Sequence, residues 1–269
     1  ACTSLHGVSI WCPATGRMLA SSPKCDFHHN CSYTFPCVAF MPQQDKHTTN
    51  SMIFATSCPE GVLRLDTFIE KDDLSHVCGE WSHDPCELDD FGPITFTSNG
   101  QQLVSGDNGG AIHLWDTSTH QELMKLRGHE SIVLSVACAG NTSIISGGWD
   151  KSVRIWDVVT GAQLVQMNNH TQYVQSVACP SSPGSKIGAS GGNDKCIRLW
   201  DVSTGRQIAA LEGHHSCIRS VSFSPDSKWI VSSDITGCVR LWDVTSRRLI
   251  QNLKTDRVWE WCEAAVFSG

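Results

Sequence analysis

The 269-residue sequence has no Cys-x-x-Cys pair among its 14 cysteines, no run of five basic residues and no stretch approaching 18 uninterrupted apolar residues. Each absence removes a class. Isolated cysteines without paired spacing do not make a usual zinc finger or redox motif. With no basic run and a formal net charge of −7, neutralising phosphates is not the main business of the surface, so direct nucleic-acid binding is not expected. No apolar run is long enough to cross a bilayer as a helix, no charged-then-apolar leader opens the chain, and no membrane partner is expected. The sequence starts at Ala1 without a Met and is expected to be cropped from a longer chain.

What is present is a folded composition, 40% hydrophobic and 17% charged, long enough for one large repeat-built domain. Several cysteines sit inside apolar runs, as in Ser135-Val-Ala-Cys138 and Ser176-Val-Ala-Cys179, which suits small buried hydrophobes. Disulfide frameworks belong mainly to short secreted domains that lack a core. Reduced thiols and an intracellular protein, in the cytoplasm, the nucleus or both, are therefore expected. Asn30, Asn141 and Asn169 open Asn-x-Ser/Thr triplets, which would be glycosylated only in a secreted protein and arise often by chance.

An internal period decides the architecture. Ile112-His-Leu-Trp115-Asp116 recurs as Val153-Arg-Ile-Trp156-Asp157, Ile197-Arg-Leu-Trp200-Asp201 and Val239-Arg-Leu-Trp242-Asp243, at intervals of 41, 44 and 42 residues. Each is preceded by a small-residue cluster, such as Ser146-Gly147-Gly148, and before that by an alternating apolar run, such as Ser220-Val-Ser-Phe223. Period-2 alternation broken by Gly, Asn, Asp and Ser reads as short antiparallel strands joined by tight turns, four to a repeat.

These residues resemble the WD40 family: a repeat near 42 residues ending in Trp-Asp, with Gly128-His129 and Gly213-His214 placing His 27 to 28 residues upstream of the Trp. The resemblance is strong from about Phe91 to Leu253. Further upstream, Val8-Ser-Ile-Trp11-Cys12 and Val62-Leu-Arg-Leu65-Asp66 match the same segment, with one replacement each. The intervals there stretch to 54 and 50 residues, so longer loops are expected near 43–50 and 70–86. The resemblance implies an all-β propeller with one four-stranded blade per repeat. Blades fall at about 25–80, 81–126, 127–167, 168–211 and 212–253 in a single domain of residues 1–269. A sixth blade is split between 1–20, read as two last strands, and 254–269, where Trp261 to Phe267 reads as a first strand; sharing it closes the ring and removes exposed sheet edges. Phe267 round to Trp11 is 13 residues, against 19 from Phe223 to Trp242, so about one strand is missing. Either six blades close imperfectly, or these are part of seven.

His129, Ser146 and Asp150 recur as His170, Ser190 and Asp194, the residue types of a hydrolase nucleophile, base and orienting acid. Their repetition argues against catalysis, since an enzyme needs one such set in one cleft. The resemblance implies instead buried structural tetrads, Asp150, His129, Ser146, Trp156 and Asp194, His170, Ser190, Trp200. Indole only donates, carboxylate only accepts, and hydroxyl and imidazole do both. Two further blades keep His214, Ser232, Trp242 and His83, Ser105, Trp115 but carry Thr236 and Gly109 at the acid's position, so position assigns no acid there. Cys25, His28, His29, Cys31 and Cys37 gather metal-ligand types, yet their spacing matches no usual finger, and no metal is assigned. Gly109-Gly110 and Ser146-Gly147-Gly148 open no helix, so they are turn glycines rather than phosphate loops. No cofactor or small-molecule substrate is expected, and the chain is read as a non-enzyme.

Function is then recognition of other proteins or peptides in a complex. In the family, partner contacts often use the top face at three positions per blade: the third and fifth residues after the His and the residue before the turn Asp. Matched here, these are Ile132, Leu134 and Trp149; Tyr173, Gln175 and Asn193; Cys217, Arg219 and Ile235; and Trp261 with Glu263 in the last strand, with Asp90 and Asn108 from the preceding blade. Trp149 is the sharpest of them, because a Trp in a glycine-rich turn has little local reason to be apolar unless something covers it, a neighbouring blade or a partner. A scaffold or adaptor subunit is the leading reading. A ubiquitin-ligase substrate receptor is a narrower form of it. Many such receptors carry Arg two residues after the Asp of Trp-Asp, and none of the four segments here does. A propeller of an RNA-processing complex is the other alternative.

Overall fold

A computed structural model describes residues 91–180 and 184–253 continuously, and before them strands lying between Cys2 and Ser82. Its strands form antiparallel sheets in chain order. Sheet one holds Cys2–Ser4, Gly7–Trp11 and Met18–Ser21, and sheet two holds Val38–Phe40, Ser51–Cys58, Val62–Ile69 and Val77–Ser82. Sheets three to six, each four-stranded, span Phe91–Phe96 to Glu122–Arg127, Val133–Ala139 to Gln163–Met167, Val174–Ala178 to Gln207–Leu211, and Ile218–Phe223 to Arg248–Leu253. The fold is thus all-β, built of four-stranded antiparallel sheets of the kind WD40 blades have. From sheet two onward, the first strand of each sheet lies beside the first strand of the next.

Three details differ from the sequence reading. Residues 1–20 contribute three strands rather than two, because Cys2–Ser4 turns back onto Gly7–Ser9. Val77–Ser82, inside the segment read as a long loop, is the outermost strand of sheet two and pairs with Val62–Thr67. Trp81 therefore belongs to sheet two, and sheet three starts near Phe91 rather than at 81. The remainder of that segment and residues 43–50 lie outside the described residues, as do the 254–269 half of the shared blade and Trp261 and Glu263 within it.

The core lies between sheets. Ile112 and Leu114 of sheet three pack with Val133, Val136 and Trp156 of sheet four; Ile145 and Ile155 pack with Val174, Val177 and Trp200 of sheet five; Leu199 packs with Ile218, Val221 and Trp242 of sheet six. Each repeating Trp thus fills the seam to the preceding sheet. The seam is tight enough to explain the glycines of the second strands: a Cβ on Gly147 would stand 2.5 Å from Val174 Cγ1, and one on Gly191 2.6 Å from Ile218 Cγ2, closer than packed carbons approach. The Asp of Trp-Asp is a turn former. Asp157 Oδ1 accepts the N–H groups of Val159 and Thr160, and Asp201 Oδ1 those of Ser203 and Thr204, the Asx geometry that reverses a chain locally.

Candidate functional site

Two layers of polar and aromatic residues sit at one end of sheets three to six. The inner layer is the buried network. In sheet four, His129 Nδ1 lies 2.8 Å from Asp150 Oδ2 and Nε2 2.7 Å from Ser146 Oγ, and Trp156 Nε1 donates to the same Oγ at 2.9 Å. In sheet five the corresponding distances are 2.9 Å for His170–Asp194, 2.7 Å for His170–Ser190 and 2.7 Å for Trp200–Ser190. With Nδ1–H donating to the carboxylate, Nε2 accepts the hydroxyl proton and the hydroxyl oxygen accepts the indole N–H, so every group is satisfied without water. Both serines are wholly buried. A substrate cannot reach them, and a hydroxyl holding an indole donor is not a free nucleophile.

The carboxylates are tuned by the same contacts. Burial alone would raise the Asp194 carboxyl, but hydrogen bonding and charge from His170, the Arg198 guanidinium and the Thr171 N–H outweigh it and hold it down at about 2. Asp150 is lowered likewise, with His129 and Ser152 overcoming burial.

Sheet six corrects the positional expectation. Thr236 does occupy the usual acid position, yet the network has its acid: Asp234, two residues earlier, lies 2.8 Å from His214 Nδ1. His214 Nε2 is 2.7 Å from Ser232 Oγ, and Trp242 Nε1 donates to that oxygen at 2.8 Å. Asp234 reaches because it stands where Gly148 and Gly192 stand in the neighbouring sheets, opposite Ile218 as Gly148 is opposite Val133, a position from which a Cβ would lie 3.3 Å from His129 Nδ1. Its Oδ1 also accepts the Thr236 and Cys238 N–H groups. Asp107 has the same offset from its Ser105 and is equally buried. It lies 2.9 Å from His113 Nε2, while His113 Nδ1 is 2.8 Å from Glu122 and Trp115 Nε1 donates to Ser105 at 2.9 Å. His83, expected in that network, lies outside the described residues, as do Asp90 and the Cys25 to Cys37 group. The signal missed in the sequence was the Ser-x-Asp spacing of Ser105-Gly-Asp107 and Ser232-Ser-Asp234.

His214, Asp234 and Cys238 hold potential metal-ligand atoms within 4.8 Å of one another. The donor set does not suit a cation. Both ring nitrogens of His214 are engaged by Asp234 and Ser232, and the positive charge of Arg240 acts on the same imidazole.

The outer layer is half-exposed and contains the nine residues matched in sheets four to six. Ile132, Tyr173 and Cys217 each accept, through the backbone carbonyl, the N–H of Trp149, Asn193 and Ile235 at 3.0, 2.9 and 3.0 Å. Leu134, Gln175 and Arg219 each sit at a register shift of the first strand, a bulge that redirects a side chain out of the ladder. Two contacts cross between sheets and a third lies within sheet five. The rings of Trp149 and Tyr173 stack with centroids 5.2 Å apart and planes 13° from parallel, Arg219 Nη1 donates to Gln175 Oε1 at 3.3 Å, and Gln175 Nε2 donates to Asn193 Oδ1 at 3.1 Å. Asn108 is half-buried at the corresponding turn of sheet three.

The family model described as WD domain, G-beta repeat, matches residues 120–157, 161–201 and 205–243. Each match holds the outermost strand of one sheet followed by the first three strands of the next, so the repeating unit straddles two sheets and ties neighbours together. With Trp-Asp at the end of each match and the His, Ser and Trp of the network inside it, residues 120–243 carry three WD40 repeats.

Proposed function

WD40 repeats generally mediate protein–protein interactions, and we propose that this chain is a scaffold or adaptor subunit that binds a partner through the half-exposed face carrying Trp149 and Tyr173. The observation that carries the reading is the stacked pair itself: two large aromatic rings, from different sheets, held parallel at a turn surface. Aromatic side chains and arginine are the commonest anchors of binding energy, and a stack fixed before binding loses little freedom when a partner covers it. Ile132, whose carbonyl holds the Trp149 N–H, and the Arg219–Gln175–Asn193 chain next to Tyr173 would give an apolar centre with a polar rim. Stacking across the seam also accounts for a Trp in a glycine-rich turn; packing and recognition are compatible, because both rings remain partly exposed.

In this reading the ring of blades closes through the terminal segments, the working site is intracellular, and no reaction is catalysed. The cysteines described, Cys138, Cys179, Cys196, Cys217 and Cys238, are free, as a reducing compartment would keep them. Affinity purification with mass spectrometry, comparing the wild type with Trp149→Ala combined with Tyr173→Ala, tests the proposal. A discrete set of partners lost from the variant, with circular dichroism unchanged, supports it. The same partners on both proteins would refute it.

A further inference from the structure

The arginine two residues before the repeating tryptophan has fixed partners in sheets four and five. Arg154 donates from Nη2 to Asp150 Oδ2 at 3.3 Å and from Nη1 to Gln163 Oε1 at 2.6 Å. Arg198 does the same with Asp194 at 3.1 Å and Gln207 at 3.3 Å. Arg240 holds this position in sheet six and is as deeply placed, only 7% exposed. Its Nη1 lies beneath the Gly213 backbone, 2.6 Å from where a Cβ would stand, as Arg154 Nη1 lies beneath Gly128.

Neither acceptor is there. Thr236 occupies the place of Asp150 and Asp194, and Leu249, opposite Trp242, occupies the place of Gln163 and Gln207. Asp234 is turned to His214, Thr236 and Cys238 instead. Among the described residues Arg240 has no hydrogen-bond or ion-pair partner. Its Nε is buried without an acceptor, as is that of Arg198, because Cys238 and Cys196 replace the Ser152 that accepts from Arg154, but only Arg240 also lacks partners for its terminal nitrogens. A buried cation without a counter-charge is rare, because charges leave water only when paired. Thr236 and Leu249 are both exposed, so the side from which the carboxylate and amide are missing opens to solvent.

We propose that Arg240 is a receptor for the carboxylate of an aspartate or glutamate side chain in a protein partner, which enters between Thr236 and Leu249 and takes the place that Asp150 and Asp194 fill in the neighbouring sheets. A planar guanidinium matches a planar carboxylate bidentately, and a carboxylate is the group the two intact pockets already hold. The pocket adjoins the proposed face, since Thr236 follows Ile235, whose N–H is bound by Cys217. The inference rests on the reading that the chain binds proteins, but not on the aromatic pair. Specificity is local, because a net charge of −7 opposes acidic ligands elsewhere on the surface.

Fluorescence anisotropy with a labelled, acetylated Gly-Glu-Gly-Glu-Gly peptide and its Gln counterpart tests this on the full chain. The Glu peptide binds the wild type and the Gln peptide does not. Thr236→Asp, which keeps Arg240 and refills the pocket from within, weakens the Glu peptide at least about tenfold, as does Arg240→Gln. Thr236→Asp remains decisive if Arg240→Gln fails to fold. The Trp149→Ala, Tyr173→Ala protein binds the Glu peptide as the wild type does, so failure of the aromatic face and failure of this pocket are separately visible. Equal binding of both peptides, unchanged binding by Thr236→Asp, loss with the aromatic variant, or displacement by inorganic phosphate as effective as by unlabelled Glu peptide would each overturn the assignment.

Discussion

Replacing Ser190 by Ala removes one oxygen and leaves two buried groups without partners. The Trp200 indole N–H loses its acceptor at 2.7 Å, and His170 Nε2 loses its donor at 2.7 Å. Both side chains are buried, Trp200 completely, so water cannot substitute without opening the seam between sheets four and five. An unsatisfied buried polar group costs about 1–3 kcal/mol, which puts the loss at about 2–6 kcal/mol. That is a large share of the roughly 5–15 kcal/mol that holds an ordinary domain together. Urea unfolding followed by circular dichroism reads it as a lowered midpoint. Ser203→Ala is the control: that hydroxyl also bonds a carboxylate, Asp201, but is exposed, and its removal costs less than about 0.5 kcal/mol. If Ser190→Ala shifts stability no more than Ser203→Ala, the network does not hold the seam and the reasoning fails.

Asp234→Ala loses the His214 contact and the turn N–H bonds, and is expected to cost about 2–4 kcal/mol. Thr236→Ala costs under about 1 kcal/mol, and a reversed order would contradict the assignment of Asp234 as the acid. Burial foremost, with Arg240 and His215 adding to it against Asp234, holds the His214 pKa below its ordinary 6.5. The unfolded chain therefore binds the proton more tightly. Stability is fully present above about 6.5 and falls as the pH drops through it, then falls again below 3.8 as Asp194, held at about 2, is protonated first in the unfolded state. A urea midpoint that rises between pH 7.5 and 5.5 would contradict this. Gly191→Ala drives a Cβ into Ile218 and Val221 and is expected to cost about 1–3 kcal/mol of overpacking, measured by thermal unfolding.

The strands of sheets three to six were legible because their periodicity is strict and Trp-Asp marks each third strand. The His–Ser–Trp part of the network was legible for the same reason: three residues at fixed offsets on a regular ladder keep fixed relations. The acid was not, because two positions can supply it, the turn residue as in Asp150 or the last residue of the second strand as in Asp234. The pairing is the same in both sheets, Gly148 opposite Val133 and Asp234 opposite Ile218, so the residue type at that position decides. Val77–Ser82 was missed because the long interval between repeats read as a loop, although Val77-Cys-Gly-Glu-Trp-Ser82 alternates in part as strands do. The stack of Trp149 on Tyr173 joins residues from successive repeats, a contact that no period within one repeat encodes. Arg240 differs from Arg154 and Arg198 only through residues on the turn and on the outermost strand, Thr236 and Leu249, which no single repeat marks as unusual.

The most direct test places a photo-crosslinking amino acid at position 149, and separately at position 164, where Leu164 is exposed on an outermost strand. Each protein is irradiated with its captured partners. Crosslinked partner from position 149 and none from position 164 is the predicted result; partner captured from position 164 alone would place recognition away from the aromatic face and contradict the account.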